Sequence, residues 1–528
     1  MSQRVYNIIF HTHTISGIII SALLYVIFFA GSISFLRDEI NAWERNEPIT
    51  GGYFAEVDYD AVFKALEKEQ QLYSRDINFS HRFFERRIST FMSPPKDTTL
   101  QKGSKGGRRR GFFYLDPGSR TKRNYAENYS LGEFFYRLHF FAPLNFHSRS
   151  GYYLAGFVAF FFLFAVITGV IVHWKKIISG FYVFRPGAKW KTIWTDAHVA
   201  LGMIGLPYQF MFAFTGVYLI IGYTVMLAPV PSVLFNDDGG KMQESMTYEK
   251  TVEYPFAGEP FKGEMSFNDC ITQAKAKWPE MEINGLQVMN YGDVNMHIKV
   301  RGAPLFRDRL TGGGYVTFRA KDGRIVDEKD PFGEISYVEG SADILARLHF
   351  GDFGGYGMKV IYLVLGLVTC FVILSGVLIW LVARDKKNVA SAKRRFNTWL
   401  VRVYMAVCLG LYPVTAFTFV MVKLFADGAG DDRKHFIYTV FFWSWLALSV
   451  LLLIKRDTCF TNKATLILGG GIGLLVPVAN GFRTGLWPWT TFSGGYSQIF
   501  VVDVFWISLS VIAFAVVLRL KRKTVARK

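Results

Sequence analysis

The chain has 528 residues, of which 51% are hydrophobic and 17% aromatic, and it carries a formal net charge of +18. Apolar runs long enough to cross a bilayer exclude a soluble enzyme and predict a polytopic membrane protein. The basic excess gathers beside the ends of those runs, where membrane topology accounts for it, so nucleic acid is not an expected partner.

From the start of the chain, Arg4 precedes an apolar stretch from Val5 to Leu36. Ala30-Gly31-Ser32 has the look of a signal-peptidase site, but the stretch is longer than a signal h-region and holds two histidines, which predicts a retained first span over 1–36. A polar insert follows over 37–136, with an amphipathic helix expected from Ala61 to Gln71 and strands from Asp76 to Arg86, Arg87 to Met92 and Gly111 to Leu115. Asp116-Pro117-Gly118 is its turn. The run Lys102 to Arg110, with glycines between basic residues, reads as a solvated loop; attraction of an anionic ligand or lipid head groups is the functional alternative.

A second span (137–176) ends at Lys175-Lys176, and a short basic loop leads to a third (177–227) whose start is marked by Thr195-Asp196 as N-cap residues. The second insert, 228–346, repeats the plan of the first. A helix from Ser266 to Trp278 precedes strands at Ile283 to Met289, Asn295 to Val300 and Tyr315 to Arg319, and Asp322-Gly323 turns the chain into Arg324 to Asp327. A fourth span (347–383) is followed by four more within 384–528, near Trp399 to Val422, Phe436 to Ile454, Ala464 to Ala479 and Phe500 to Leu518. Basic residues in the short loops then predict eight spans with both termini in the cytoplasm and both inserts outside it, in the periplasm of a Gram-negative source.

Two stretches echo each other. His13 precedes Gly17 by four positions, with Gly31 fourteen further on; His198, Gly202 and Gly216 repeat that spacing. Each histidine therefore sits one helical turn from its first glycine, on a helix of roughly 27 Å from His to last Gly. Arg137-Leu138-His139-Phe140 recurs letter for letter as Arg347-Leu348-His349-Phe350, each copy preceding an apolar span that carries Thr168-Gly169 or Ser375-Gly376. The first four spans thus read as two parallel copies of one unit: helix, insert, R-L-H-F, helix.

An ionisable side chain inside a span is costly and marks a functional site by default. If the two copies are related by an axis along the membrane normal, His13 faces His198 and His139 faces His349. Two facing histidines with nothing else at their level describe axial ligation of haem iron within a helix bundle, whereas zinc or di-iron would need carboxylates or thiolates. Gly17, Gly202, Gly169 and Gly376 would let a flat macrocycle, or equally a neighbouring helix, approach the backbone. Arg137 and Arg347 are placed to meet haem propionates or to anchor helix ends.

Other histidines compete. His173 is the rival on the cytoplasmic side, but its counterpart in the repeat is Trp380; His147 is the rival outside and has no counterpart histidine. His11 points to the face opposite His13. His81, His297 and His435 read as surface or packing residues, and the glycines at 469, 470, 471 and 473 as helix packing. The four cysteines, Cys270, Cys370, Cys408 and Cys459, lie in separate segments without metal-site spacing and read as structural.

The H-x3-G helix, the repeated L-H before a span with T-G or S-G, and the helix-plus-strand inserts resemble the PepSY-associated transmembrane-helix family over about residues 1 to 385. That family includes inner-membrane ferric-siderophore reductases of the FoxB type. The resemblance implies a membrane oxidoreductase with two haem b groups held at His13, His198, His139 and His349. It would pass electrons from the cytoplasmic side to ferric siderophore at the periplasmic face of the bacterial inner membrane and release ferrous iron. No flavin or nicotinamide fingerprint is present, so the donor would be a quinol or a separate cytoplasmic reductase. The alternatives are a haem-free PepSY-type membrane protein that binds a peptide or protease, and a siderophore or metal transporter.

Overall fold

The structure is a computed structural model that describes residues 2–48, 53–81, 87–101, 111–116, 118–174, 178, 182–185, 187–247 and 252–520. The basic run Lys102 to Arg110, Lys175-Lys176 and part of the first predicted strand lie outside the described residues. Contacts divide the chain into a membrane unit (Met1–Pro48, Tyr129–Val225, Tyr356–Lys528) and a sheet unit (Ile49–Asn128, Met226–Gly355).

In the membrane unit, Ser2 caps α1 (Gln3–Ser34) by accepting from the Val5 amide, and the helix then runs without a charged residue beyond its first turn. A turn at Phe35-Leu36 leads into α2 (Arg37–Arg45), and α3 (Leu131–His139) starts at Ser130, whose hydroxyl accepts from Glu133 N. Then come α4 (Ser150–His173), α5 (Trp190–Ile204), α6 (Leu206–Val217), α7 (Gly355–Arg384), α8 (Ser391–Phe425), α9 (Arg433–Ile454), α10 (Thr458–Thr484) and α11 (Ser497–Arg519). Among the described residues, eight helices are long and apolar enough to cross a membrane, the number the sequence predicts.

The third span departs from expectation. His198 and Gly216 do not share one regular helix: the run breaks at Gly205, and after α6 the chain continues as a π-helix over Tyr218–Met226. Pro207 at the start of α6 lacks an N–H and crowds the preceding turn, which is the physical cause of the break. Thr195-Asp196 lies inside α5 and does not cap it; Asp196 instead pairs with Arg185 at 2.8 Å.

Helix α2 belongs to the membrane unit although its composition is that of a polar insert. Arg37, Glu39, Ile40, Asn41, Ala42, Trp43 and Glu44 are all buried. Arg37 pairs with Glu133 at 2.8 Å, Glu39 with Lys359 at 2.6 Å, and Glu44 with Arg433; Trp43 Nε1 donates to Asp503 at 2.8 Å. Lys423 Nζ donates to the Trp43 carbonyl. Charges drawn from α3, α7, α8, α9 and α11 therefore meet on this one short helix, each with a partner, which is the condition for burying them. In α10, a Cβ at Gly469 would meet the Tyr412 ring, one at Gly470 the Phe514 ring and one at Gly473 Ser510 and Trp506, so these three are packing residues as expected, whereas Gly471 faces open space.

In the sheet unit the two inserts build one sheet, not two. Strands β1 (Ile77–Ser80), β2 (Ile88–Met92), β3 (Gly111–Asp116) and β4 (Thr121–Arg123) come from the first insert. The second supplies β5 (Met281–Met289), β6 (His297–Pro304), β7 (Gly314–Arg319) and β8 (Ile325–Lys329). The order is β4-β3-β2-β1-β5-β6-β7-β8, all antiparallel, and β1 meets β5 with Asn78 opposite Gln287. Alternate residues such as Phe79, Ile88, Leu286, Val300 and Phe318 face the helices Tyr59–Glu69 and Phe267–Lys277 across one core. Those helices cap each other: Asp60 accepts from Phe267 N at 2.6 Å, and Asn268 accepts from Tyr59 N at 2.9 Å. Phe63 stacks on Phe267 with ring centroids 4.1 Å apart.

Candidate functional site

Three of the four histidines singled out by the sequence lie in the membrane unit, and each is seated in the same way. His13 on α1 holds the Ala165 carbonyl of α4 through Nδ1 at 2.9 Å, with Thr168 Oγ1 at 3.4 Å. His198 on α5 holds the Val372 carbonyl of α7 at 3.0 Å, with Ser375 Oγ at 3.1 Å. His139, at the end of α3, holds the Ile27 carbonyl of α1 at 2.8 Å.

In every case a glycine stands four residues after the carbonyl: Gly169, Gly376 and Gly31. A residue one turn on lies over that carbonyl, so a side chain there would shield it from the approaching ring. A Cβ built at Gly169 would come within 3.1 Å of His13 Cε1, one at Gly376 within 3.3 Å of His198 Cε1, and one at Gly31 within 2.6 Å of His139 Nδ1. The T-G and S-G pairs thus serve the histidine rings directly. Gly31→Leu is expected to expel the His139 ring from its seat, and the loss of the His139-to-Ile27 hydrogen bond is read as a changed imidazole NMR signal in selectively labelled protein.

A carbonyl only accepts, so Nδ1 carries the proton in each seat, and in the neutral ring Nε2 is then the nitrogen with a lone pair to offer. The His13 and His198 rings face each other with centroids 6.5 Å apart and planes inclined by 71°. The two helices that carry them keep open space one turn further on: a Cβ built at Gly17 or at Gly202 meets no heavy atom within 4 Å. Two imidazoles, each held from behind through Nδ1, are residues that could hold a metal or cofactor. Among the described residues, no group of three or more His, Cys, Asp or Glu gathers at a point.

His349 lies near the end of the helix Tyr337–Phe350 in the sheet unit, with its ring 5.9 Å from that of Phe350 and edge-on to it. His173 ends α4 and is half-buried, while His147 is exposed in the turn before α4. His297 stacks on Tyr254 at 3.8 Å, as a packing residue does. Arg137 pairs with Glu133 at 2.6 Å, and Arg347 pairs with Asp352 and lies over the Phe306 ring at 4.0 Å. Burial pushes the Glu133 carboxyl upward, but Arg37 and Arg137 overcome it and hold the group below the usual carboxylate range. The four cysteines are unpaired; Cys270, Cys370 and Cys408 are buried.

The criterion that selects the histidines applies equally to Lys359, Lys423 and Asp503, which the sequence reading passes over. Each is an ionisable residue within an apolar span, and each is tied to α2.

A family described as the PepSY-associated TM region matches residues 10–383. The chain belongs to that family. As a PepSY-associated transmembrane protein it is a multi-pass membrane protein, and the match takes in α1 to α7 and the whole sheet unit, leaving α8 to α11 beyond it. An uncharacterised protein of Pseudomonas aeruginosa, PA4219, is similar to it, with 22% identity over 274 residues. That alignment takes in 49% of this chain and 64% of the relative, so the chain spans less than two thirds of the relative it matches.

Proposed function

We propose that this PepSY-associated protein is a di-haem b oxidoreductase of the FoxB type, which carries electrons across the bacterial inner membrane to ferric siderophore and releases ferrous iron outside the cytoplasm. The observation that carries the reading is the facing pair His13 and His198, each tied by Nδ1 to a backbone carbonyl. Open space beside Gly17 and Gly202 suits the edge of a flat macrocycle.

Haem b, when bound, supplies one-electron chemistry at iron. The carbonyls of Ala165 and Val372 keep the two rings in one tautomer and make Nε2 more basic. Thr168 and Ser375 already donate to carbonyls of their own helices, at 2.8 Å to Phe164 and Val372, so their hydroxyls support the rings without competing for a proton. His139, seated like the first two, is the membrane-unit residue this reading gives the second haem. Ferric siderophore is the substrate: its hard oxygen donors hold ferrous iron less well than ferric, so reduction releases the metal. The basic short loops support cytoplasmic termini and a periplasmic sheet unit.

The test is the reduced-minus-oxidised visible spectrum of purified protein with a pyridine haemochrome assay, followed by anaerobic addition of a ferric siderophore. Two b-type haems per chain, reoxidised as a ferrous chelator captures iron, are expected. Haem-free protein from cells with ample haem would overturn the reading in favour of a binding module.

A further inference from the structure

A groove of about 860 Å³ runs along the N-terminal half of α1, walled on the other side by α4. Its wall is apolar: Ile8, Ile15 and Ile19 from α1, and Phe161 and Phe164 from α4. Three of these are far out on the molecular surface, Ile8 at 56%, Ile15 at 57% and Ile19 at 68% exposure, so in a bilayer the groove opens to lipid. Arg4, Asn7 and His11 follow one another at helical spacing toward one end, while the hydroxyls of Thr12 and Ser16, further along, donate to carbonyls of their own helix. One polar end, one apolar trough and two aromatic faces suit a ring with hydrogen-bonding substituents and a long hydrocarbon tail.

The groove also backs onto the His13 seat. Phe164 precedes Ala165, whose carbonyl holds His13, and Phe164's own carbonyl accepts from Thr168 at 2.8 Å. Ser16, buried at the bottom of the groove, donates to the Thr12 carbonyl at 2.8 Å and approaches that of His13 at 3.3 Å. A ligand in this trough therefore lies against the two helix turns that hold His13.

We propose that this groove binds a membrane quinol, the electron donor to the His13 and His198 site; the role as donor rests on the electron-transfer reading above. The ring would take hydrogen bonds from Arg4, Asn7 or His11 and stack near Phe161 and Phe164, with its isoprenoid tail along Ile15 and Ile19. Oxidation to the quinone breaks two O–H bonds. The two electrons leave one at a time to the acceptor at the His13/His198 site, and the two protons pass to water at the N-terminal mouth of α1. A lipid-soluble donor also answers the lack of a flavin or nicotinamide fingerprint, because it reaches α1 from the bilayer with no further domain.

The experiment is photolabelling of the full-length protein in liposomes with an azidoquinone, followed by peptide mapping and a haem count on the same sample. Label is expected on residues 4–19 or 161–164, displaced by unlabelled quinone and reduced about tenfold in Ile15→Trp, which fills the trough. The haem spectrum of Ile15→Trp, unchanged from wild type, serves as the control for folding. Haem-loaded protein whose label is absent, maps elsewhere, or is displaced by anionic phospholipid and not by quinone overturns the groove assignment alone. Competed label at the groove in haem-free protein overturns the electron-transfer reading and leaves a quinone-binding site.

Discussion

On the di-haem proposal, His198→Ala will remove one haem, lowering the pyridine haemochrome count per chain by half and removing one component from the reduced spectrum. The substitution removes a residue that would hold the haem, together with one hydrogen bond from α5 to the Val372 carbonyl; the helix retains its length, and alanine is the best helix former. His13 keeps its hold on Ala165, so the site is left with a single imidazole. Far-UV circular dichroism is expected to match wild type, which separates ligand loss from misfolding. Retention of both haems with an unchanged spectrum would remove His198 from the ligand set and return His173, half-buried at the end of α4, to consideration.

Arg433→Met will lower apparent stability by about 3–5 kcal/mol, the usual cost of leaving one member of a buried ion pair alone. The Arg433 and Glu44 side chains are 11% and 0% exposed, so the Glu44 carboxylate would lose its guanidinium partner while keeping the Leu131 amide, at 2.7 Å. Replacing both, with Glu44→Gln and Arg433→Met together, is expected to recover a large part of that loss, because no uncompensated charge remains buried. Denaturation of the detergent-solubilised protein followed by tryptophan fluorescence reads both variants. A single variant indistinguishable from wild type would mean that water reaches Glu44.

The spans and most of the insert elements were legible because their signals are local. Apolar length marks a crossing helix, and alternation marks the strands that contain Phe79 or Val300. The joining of β1 to β5 was not, since nothing in either strand specifies which of two distant edges it will meet. The seat glycines were picked out by position, but their role was assigned to a macrocycle or a neighbouring helix; only the structure shows Gly169 and Gly376 exposing a carbonyl to a histidine ring. Helix α2 was read as part of a soluble insert because its charges are plain and their partners, such as Arg433 and Asp503, lie hundreds of residues away. Pro207, between the His and the last Gly of the second repeat, is a local break signal that the sequence reading passes over.

The pairing of β1 with β5 also imposes an order on biogenesis. On the growing chain, β1 is finished roughly 200 residues before β5, an interval of about 10–40 s at typical rates of about 5–20 residues per second. Throughout that interval, in which two more membrane crossings are made, Ile77–Ser80 has a free edge on the side that β5 will later occupy. Half of the core facing Phe63 and Phe79 is missing for just as long, because the helix Phe267–Lys277 has yet to be synthesised. Until β5 is made the first insert is a half-sheet with one unpaired edge, and truncation ahead of β5 is expected to leave it prone to aggregate.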